Sequence, residues 1–168
     1  MKNTAYLLIF ILFSSVFTCS CGAADTEIPT YSYFKIKATV LGEREFRATI
    51  TESYAEFTGN NLTFPVRFEN GTVSCEGVTV DVKAKDDSLF RLSQIIAEAL
   101  NGNGEIGKIT QKKDRYEIEK TINGQQITVY IDKQTNNPTA FFTDKYTVEV
   151  TDFQDTTDES HTQNMGDG

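Results

Sequence analysis

Apolar and polar residues alternate with period two along most of this chain. Phe34, Ile36, Ala38 and Val40 fall on one face and Lys35, Lys37 and Thr39 on the other, the pattern of a strand with one buried side. After a turn at residues 41–43, Phe46, Ala48 and Ile50 alternate with Glu45, Arg47 and Thr49, which predicts a hairpin. Residues 54–57 form a further short strand. Beyond Gly59-Asn60-Asn61 the residues Leu62, Phe64, Val66 and Phe68 alternate again. Pro65 limits that stretch to an edge or a bulge, because it has no N–H to donate to a ladder. Asn70-Gly71 and Glu76-Gly77 offer tight turns into residues 72–75 and 78–82.

At residue 88 the period changes. Leu89, Leu92, Ile96 and Ala99 share one helical stripe, widened by Ile95 and Leu100. Asp87 or Ser88 can cap its start and Asn101-Gly102 its end, so a helix is predicted over about 88–101. Period two then returns over residues 109–111, 115–122, 126–131, 139–142 and 146–153, with Asn123-Gly124 turning the second of these into the third. The helix needs an apolar surface to rest on, and the strand faces are the available one. The expected fold is mainly β, of the α+β kind. It is a single antiparallel meandering sheet of roughly eight to ten strands, forming an incomplete barrel with one helix on its concave face.

The chain ends follow different rules. Lys2 precedes an uncharged stretch, residues 5–17, that is rich in Leu, Ile and Phe. It is shorter than the roughly 20 apolar residues of a membrane-spanning helix and reads as a signal peptide over residues 1–20. Residues 21–30 read as a polar tether, residues 31–153 as the one folded domain, and residues 154–168 as a disordered acidic tail without Lys or Arg. With 16 Lys and Arg against 24 Asp and Glu, the net charge of -8 argues against a nucleic-acid partner.

The exit of the apolar run, Thr18-Cys19-Ser20-Cys21, resembles the lipobox of bacterial lipoproteins, in which a cysteine is acylated before cleavage. Ser20 is the small residue that the motif places before its cysteine, which favours Cys21. Cys19 is the alternative, with Val16 at its third upstream position. The resemblance implies a lipid anchor at the extracytoplasmic face of a bacterial membrane, held by more than one acyl chain. An ordinary secretory signal, with the cysteines paired elsewhere, is the other reading.

Two stretches near the C-terminus carry a second resemblance. Ile131-Asp132-Lys133-Gln134-Thr135-Asn136-Asn137-Pro138 is similar to a strand, turn and proline segment of the LolA and LolB lipoprotein carriers and receptors. Residues 146–153, closing on Asp152-Phe153, are similar to their terminal strand. The strand order around the single helix also resembles small anchored lipoproteins of clostridial type, including those of spore germination. The resemblance implies an incomplete barrel and, between sheet and helix, an apolar groove for an acyl chain or a hydrophobic envelope partner. Phe34, Phe46, Phe64, Phe68, Leu92 and Ile96 are the candidate lining. The chain departs from the carriers in lacking their N-terminal helix between Cys21 and Tyr33, and in having no Trp.

No catalytic constellation is legible. His161, the sole histidine, lies in the acidic tail, so neither a Ser-His-Asp nor a Cys-His arrangement has a buried base. Glu117 and Glu119 alternate along a polar strand face and read as solvated carboxylates. Gly102-Asn103-Gly104-Glu105-Ile106-Gly107 satisfies GxGxxG, but it follows a helix, whose C-terminal dipole repels phosphate, and so reads as a cap and a flexible loop. Cys75 reads as a small buried hydrophobe, with intermolecular pairing outside the cell as the alternative. Lys108, Lys112, Lys113 and Arg115 read as a solvated turn, with lipid headgroups as the alternative contact. The expectation is a non-enzymatic protein with no catalytic residues, no metal site and no cofactor.

Overall fold

A computed structural model describes residues 28–59, 62–81 and 88–157. Its strands are β1 (Phe34–Leu41), β2 (Phe46–Thr51), β3 (Tyr54–Gly59), β4 (Val66–Glu69), β5 (Thr72–Cys75) and β6 (Val78–Asp81). The helix α1 (Ser88–Leu100) follows, and then β7 (Glu105–Gln111), β8 (Arg115–Ile122), β9 (Gln125–Asp132), β10 (Pro138–Phe142) and β11 (Thr147–Asp155). Residues 1–27, with Cys19 and Cys21, lie outside the described residues, as do Asp87 and the tail beyond residue 157.

All eleven strands join one open antiparallel sheet in the order β6-β5-β4-β3-β2-β1-β11-β10-β9-β8-β7. It is two meanders joined at β1 and β11, so the first and last strands form the middle, paired from Phe34 opposite Asp155 to Leu41 opposite Thr147. A bulge beside Lys37 interrupts that ladder, and Thr151 Oγ1 donates to Lys37 O at 2.9 Å there. The strands before and after the helix sit at opposite edges, so the connection through α1 traverses the whole sheet.

Register explains why one face is apolar across most of the sheet and buried in its middle. Phe153, Ile36, Ile50, Ala55, Phe68, Val73 and Val80 stand opposite one another across seven successive strands. Such a row stays on one face because side chains alternate strictly along each strand. The helix lies against the concave side of this face, its Leu92, Ile96, Ala99 and Leu100 buried among Phe34, Ile36, Ile50, Phe57 and Ile118. At the β6 edge the row outruns the helix, and Val78 and Val80 are 64% and 56% exposed.

The last four carbonyls of a helix have no partner within it, and here each finds a different one. Ala97 O accepts from Asn101 N, and Glu98 O accepts from Asn103 N, both at 3.0 Å. Gly102, at φ 82°, makes the left-handed step that the second of these bonds requires. Leu100 O accepts from Tyr31 N at 2.8 Å. Ala99 O accepts from Lys120 Nζ at 2.6 Å. Lys120 stands at an inward position of β8 between Ile118 and Ile122 and is 4% exposed, a cation placed at the negative end of the helix dipole.

Several boundaries differ from the sequence reading. Among the described residues there are eleven strands rather than eight to ten. Leu62 and Phe64 lie before β4 and not in it, since Pro65 cannot continue a ladder. β7 begins at Glu105, so the second half of the glycine-rich segment is strand rather than loop, with a bulge between Ile106 and Lys108 absorbing Gly107. β11 runs two residues past Phe153, and Thr156 N donates to Tyr33 O beyond it. The expected turns hold: Asn70-Gly71, Glu76-Gly77 and Asn123-Gly124 each carry two successive positive φ values, the signature of type I′ hairpins.

Candidate functional site

The helix has a second stripe beside its core-facing one. Phe90, Ser93, Ala97 and Asn101, spaced by three and four, face the sheet half built from β2 to β5, and together with Gln94 and Glu98 they form one wall of a cleft of about 460 Å³. Thr51, Glu52, Ser53, Tyr54 and Ala55 form the opposite wall, and Phe68, Asn70 and Gly71 complete it. The aromatic floor is continuous with the core. Phe90 lies 5.6 Å from Phe68, ring centre to ring centre, and Phe68 lies 5.8 Å edge-on from Phe57.

Both sheet-side walls are held by tight turns. Thr51 Oγ1 accepts from Ser53 N at 3.3 Å and from Tyr54 N at 3.1 Å, which locks the β2–β3 turn. Asn70-Gly71 closes β4 onto β5, and Thr72 Oγ1 donates to Glu69 O at 2.7 Å beside it. Ser93, although buried, presents no free hydroxyl to the cleft, because its Oγ donates to Phe90 O at 2.7 Å. The polar rim comes from Glu52, Ser53, Asn70, Gln94, Glu98 and Asn101 around the floor of Ala55, Phe68, Phe90 and Ala97. The volume lies in the range of roughly 300 to 1,000 Å³ usual for a small-molecule site, but Ala55, Phe68 and Phe90 are themselves buried, so polar residues supply most of the lining.

Two other hollows are less suited to a ligand. On the far flank of the helix a cavity of about 140 Å³ is lined by Arg91, Leu92, Ile95, Gln126 and Tyr146, and the Ser88 and Tyr146 hydroxyls meet at 2.9 Å beside it. On the solvent face of the sheet, a depression of about 490 Å³ near the β11 bulge is lined by Lys37, Thr39, Arg47, Glu56 and Thr151. Its charges are of both signs, and Lys37 pairs with Asp152 at 3.6 Å.

The six groove candidates separate. Phe34, Phe68, Leu92 and Ile96 are buried in one cluster, and Phe46 packs partly buried against it. Phe64, 43% exposed, stands apart. Of the six, Phe68 lines the 460 Å³ cleft and Leu92 the small one, while the space directly beneath the helix is filled. The six candidates leave out Phe90, which counts among the aromatic residues available to such a groove, and Ala97, seven residues further along the helix, and both border its core stripe. That spacing is the signal that marks them.

Elsewhere the sequence candidates are structural. Glu117 accepts from Arg115 at 2.8 Å and lies 3.8 Å from Lys112, so two of the four basic residues are occupied by one carboxylate. Cys75 is half-buried rather than buried, because only the short β6 lies beyond it. Among the described residues no three His, Cys, Asp or Glu side chains converge to hold a metal ion, and no helix is long and apolar enough to cross a membrane.

The class these features define is an open antiparallel sheet whose concave face carries one helix, with a largely polar-lined cleft along one flank of that helix. The chain matches no protein-family model and no curated protein. Among solved structures it is similar to PNGF-II in a C2 crystal form, at 8% identity with a TM-score of 0.28, covering 73% of this chain and 27% of that one. It is also similar to PNGF-II in a P21 form, at 7% identity and a TM-score of 0.31, covering 73% and 28%. The chain thus spans little more than a quarter of the PNGF-II chains it matches.

Proposed function

We propose that this chain is a non-enzymatic binding lipoprotein. A lipid on Cys21, with Cys19 as the alternative, holds it at the extracytoplasmic face of a bacterial membrane, and it carries the apolar part of a lipid or other hydrophobic ligand beside α1. The observation that carries this reading is the 460 Å³ cleft with Phe68 and Phe90 in its floor. The half-buried Tyr54 and Ala97 are the apolar surface an occupant would cover above those buried rings, and tight turns on the sheet side spare the cost of ordering the wall on binding. The open sheet with a helix on its concave side agrees with the arrangement that the carrier resemblance implies.

The reading has two separate tests. Palmitate labelling of Cys19→Ala and Cys21→Ala variants is expected to lose signal only with Cys21. Mass spectrometry of the protein extracted from its own membrane is expected to find a co-purifying lipid, and a neutral fluorescent apolar probe is expected to bind it. Absence of both a co-purifying lipid and probe binding would refute carriage.

A second reading, an interaction module of the cell envelope, is favoured by the filled space under the helix and by the open β6 edge. Val78 and Val80 offer a partner strand both unpaired backbone and exposed apolar side chains there. Cross-linking in intact cells that returned the protein alone would count against it.

A further inference from the structure

We propose that β6 is a pairing edge whose occupant is β6 of a second copy of this chain, joined antiparallel about Thr79 into one continuous sheet. The inference takes the open edge of the interaction-module reading and puts a second copy there in place of an envelope partner.

The two edges of the sheet are built differently. β7 carries a bulge between Ile106 and Lys108, and Lys108 stands exposed in mid-strand. A bulge and a mid-strand lysine are both devices that keep an edge from pairing. β6 has neither. Its residues Val78-Thr79-Val80-Asp81 include no Lys, Arg or Pro, and its register on β5 runs without a shift. Among the described residues no strand lies beyond it. Its apolar side is open as well, because the helix stops short of Val78 and Val80.

Backbone geometry selects the register. Glu76-Gly77 is a two-residue type I′ turn, so the flanking pair Cys75 and Val78 exchanges both of its N–H···O bonds, and Val73 with Val80 does the same two residues on. Thr79, between them, turns its N–H and C=O to the open edge. An antiparallel copy centred there bonds Thr79 to Thr79 twice. Val78 then faces Val80 of the copy and Val80 faces its Val78, so the apolar row crosses the seam on one face. Val78-Thr79-Val80 reads the same in both directions, as a twofold contact requires of a single patch. The three residues that meet are uncharged, which spares two chains of net charge -8 from opposing like charges along the seam.

A four-residue strand buries much less than the roughly 1,200 Å² of a complex stable in free solution. Copies tethered to one membrane meet at a raised effective concentration, and a short edge then suffices. The strength of the contact therefore rests on the proposed lipid anchor, which palmitate labelling tests separately.

The test is disulfide capture of the full chain in its own membrane, in a Cys75→Ala background. Thr79→Cys sets one thiol on each side of the twofold, with the paired Cα atoms about 5.5 Å apart, within the range of about 4.4–6.8 Å that a disulfide spans. Under mild oxidation it is expected to yield about tenfold more covalent dimer than Glu76→Cys on the same hairpin or Lys108→Cys on the other edge. Adding Val80→Lys, a charge at an exposed position of the seam, is expected to lower the dimer about tenfold. No dimer from Thr79→Cys, equal dimer from all three positions, or a dimer that survives Val80→Lys would each overturn self-pairing. A photoreactive maleimide on the same Thr79→Cys thiol separates this failure from that of the interaction-module reading. Product joined to a different protein would overturn the second copy as occupant and leave that reading standing, whereas no product at all would overturn both.

Discussion

Lys120 is the residue whose position is hardest to reconcile with a simple apolar core, and its partners explain it. Its ammonium group closes the Ala99 carbonyl at the helix end and lies 3.5 Å from Asn103 O. Lys120→Met would leave Ala99 O buried without that donor, at a cost of about 1–3 kcal/mol, read as a lower urea midpoint. Burial holds the Lys120 pKa below its ordinary value of 10.5. The unfolded chain therefore keeps this proton to higher pH than the folded one, and the Lys120 contribution to stability rises as pH climbs through the folded value toward 10.5. Tyr31 has the opposite sign. Burial first, and the Asp155 carboxylate second, push its phenol from 10.0 up to about 12, while its hydroxyl donates to Asn136 O. The folded state holds a proton that the unfolded state releases, so stability falls between pH 10 and about 12. Tyr31→Phe is expected to flatten the unfolding free energy across that window, and an unchanged slope would show that the phenol is not the group responsible. Lys120 was open to notice in the sequence, as a cation at an inward position between Ile118 and Ile122. Its partner was not, because a strand pattern says nothing about which helix end lies above it.

At the scale of elements, alternation and turn chemistry located most strands because each signal is local. A type I′ turn needs only its own two residues, and Asn70-Gly71, Glu76-Gly77 and Asn123-Gly124 all take it. The failures came where a local signal met a competing one. The alternation of Leu62, Phe64, Val66 and Phe68 promised a strand, and Pro65 broke it, leaving Phe64 in solvent and Phe68 in the core. Only residues 109–111 of β7 were legible, because its bulge at Gly107 shifts the alternation of the first half by one residue. The groove was legible only in part. Core-stripe residues such as Leu92 and Ile96 announce themselves by hydrophobicity, whereas the cleft lies on the next stripe, where Ser93 and Gln94 dilute the pattern. Two substitutions separate these environments. Ile96→Ala, beneath the helix, is expected to cost about 2–5 kcal/mol, and Phe64→Ser, on the exposed segment, less than about 0.5 kcal/mol. Similar costs for both, measured by denaturant titration, would contradict the assigned seat of the helix.

For the whole molecule, the pairing of β1 with β11 is decisive, and no pattern within either strand foretold it. It brings residues more than a hundred positions apart into the middle of the sheet, a long-range closure that local sequence cannot encode. A chain ending at residue 146 would lose the central strand as well as the partner of β10. It is expected to show no cooperative unfolding by circular dichroism, while a chain ending at residue 157 should melt as the full chain does. A cooperative melt in the shorter chain would mean that one meander folds without the other. The same closure sets the two sheet halves around α1 and leaves the cleft open along one flank. Binding of a neutral fluorescent apolar probe to the full chain, compared with an Ala97→Phe variant that fills the cleft, tests the central claim most directly. The expected result is probe binding that falls at least tenfold in Ala97→Phe while the melting temperature holds. Undiminished binding by a normally folded variant would contradict the assignment of this cleft as the functional site.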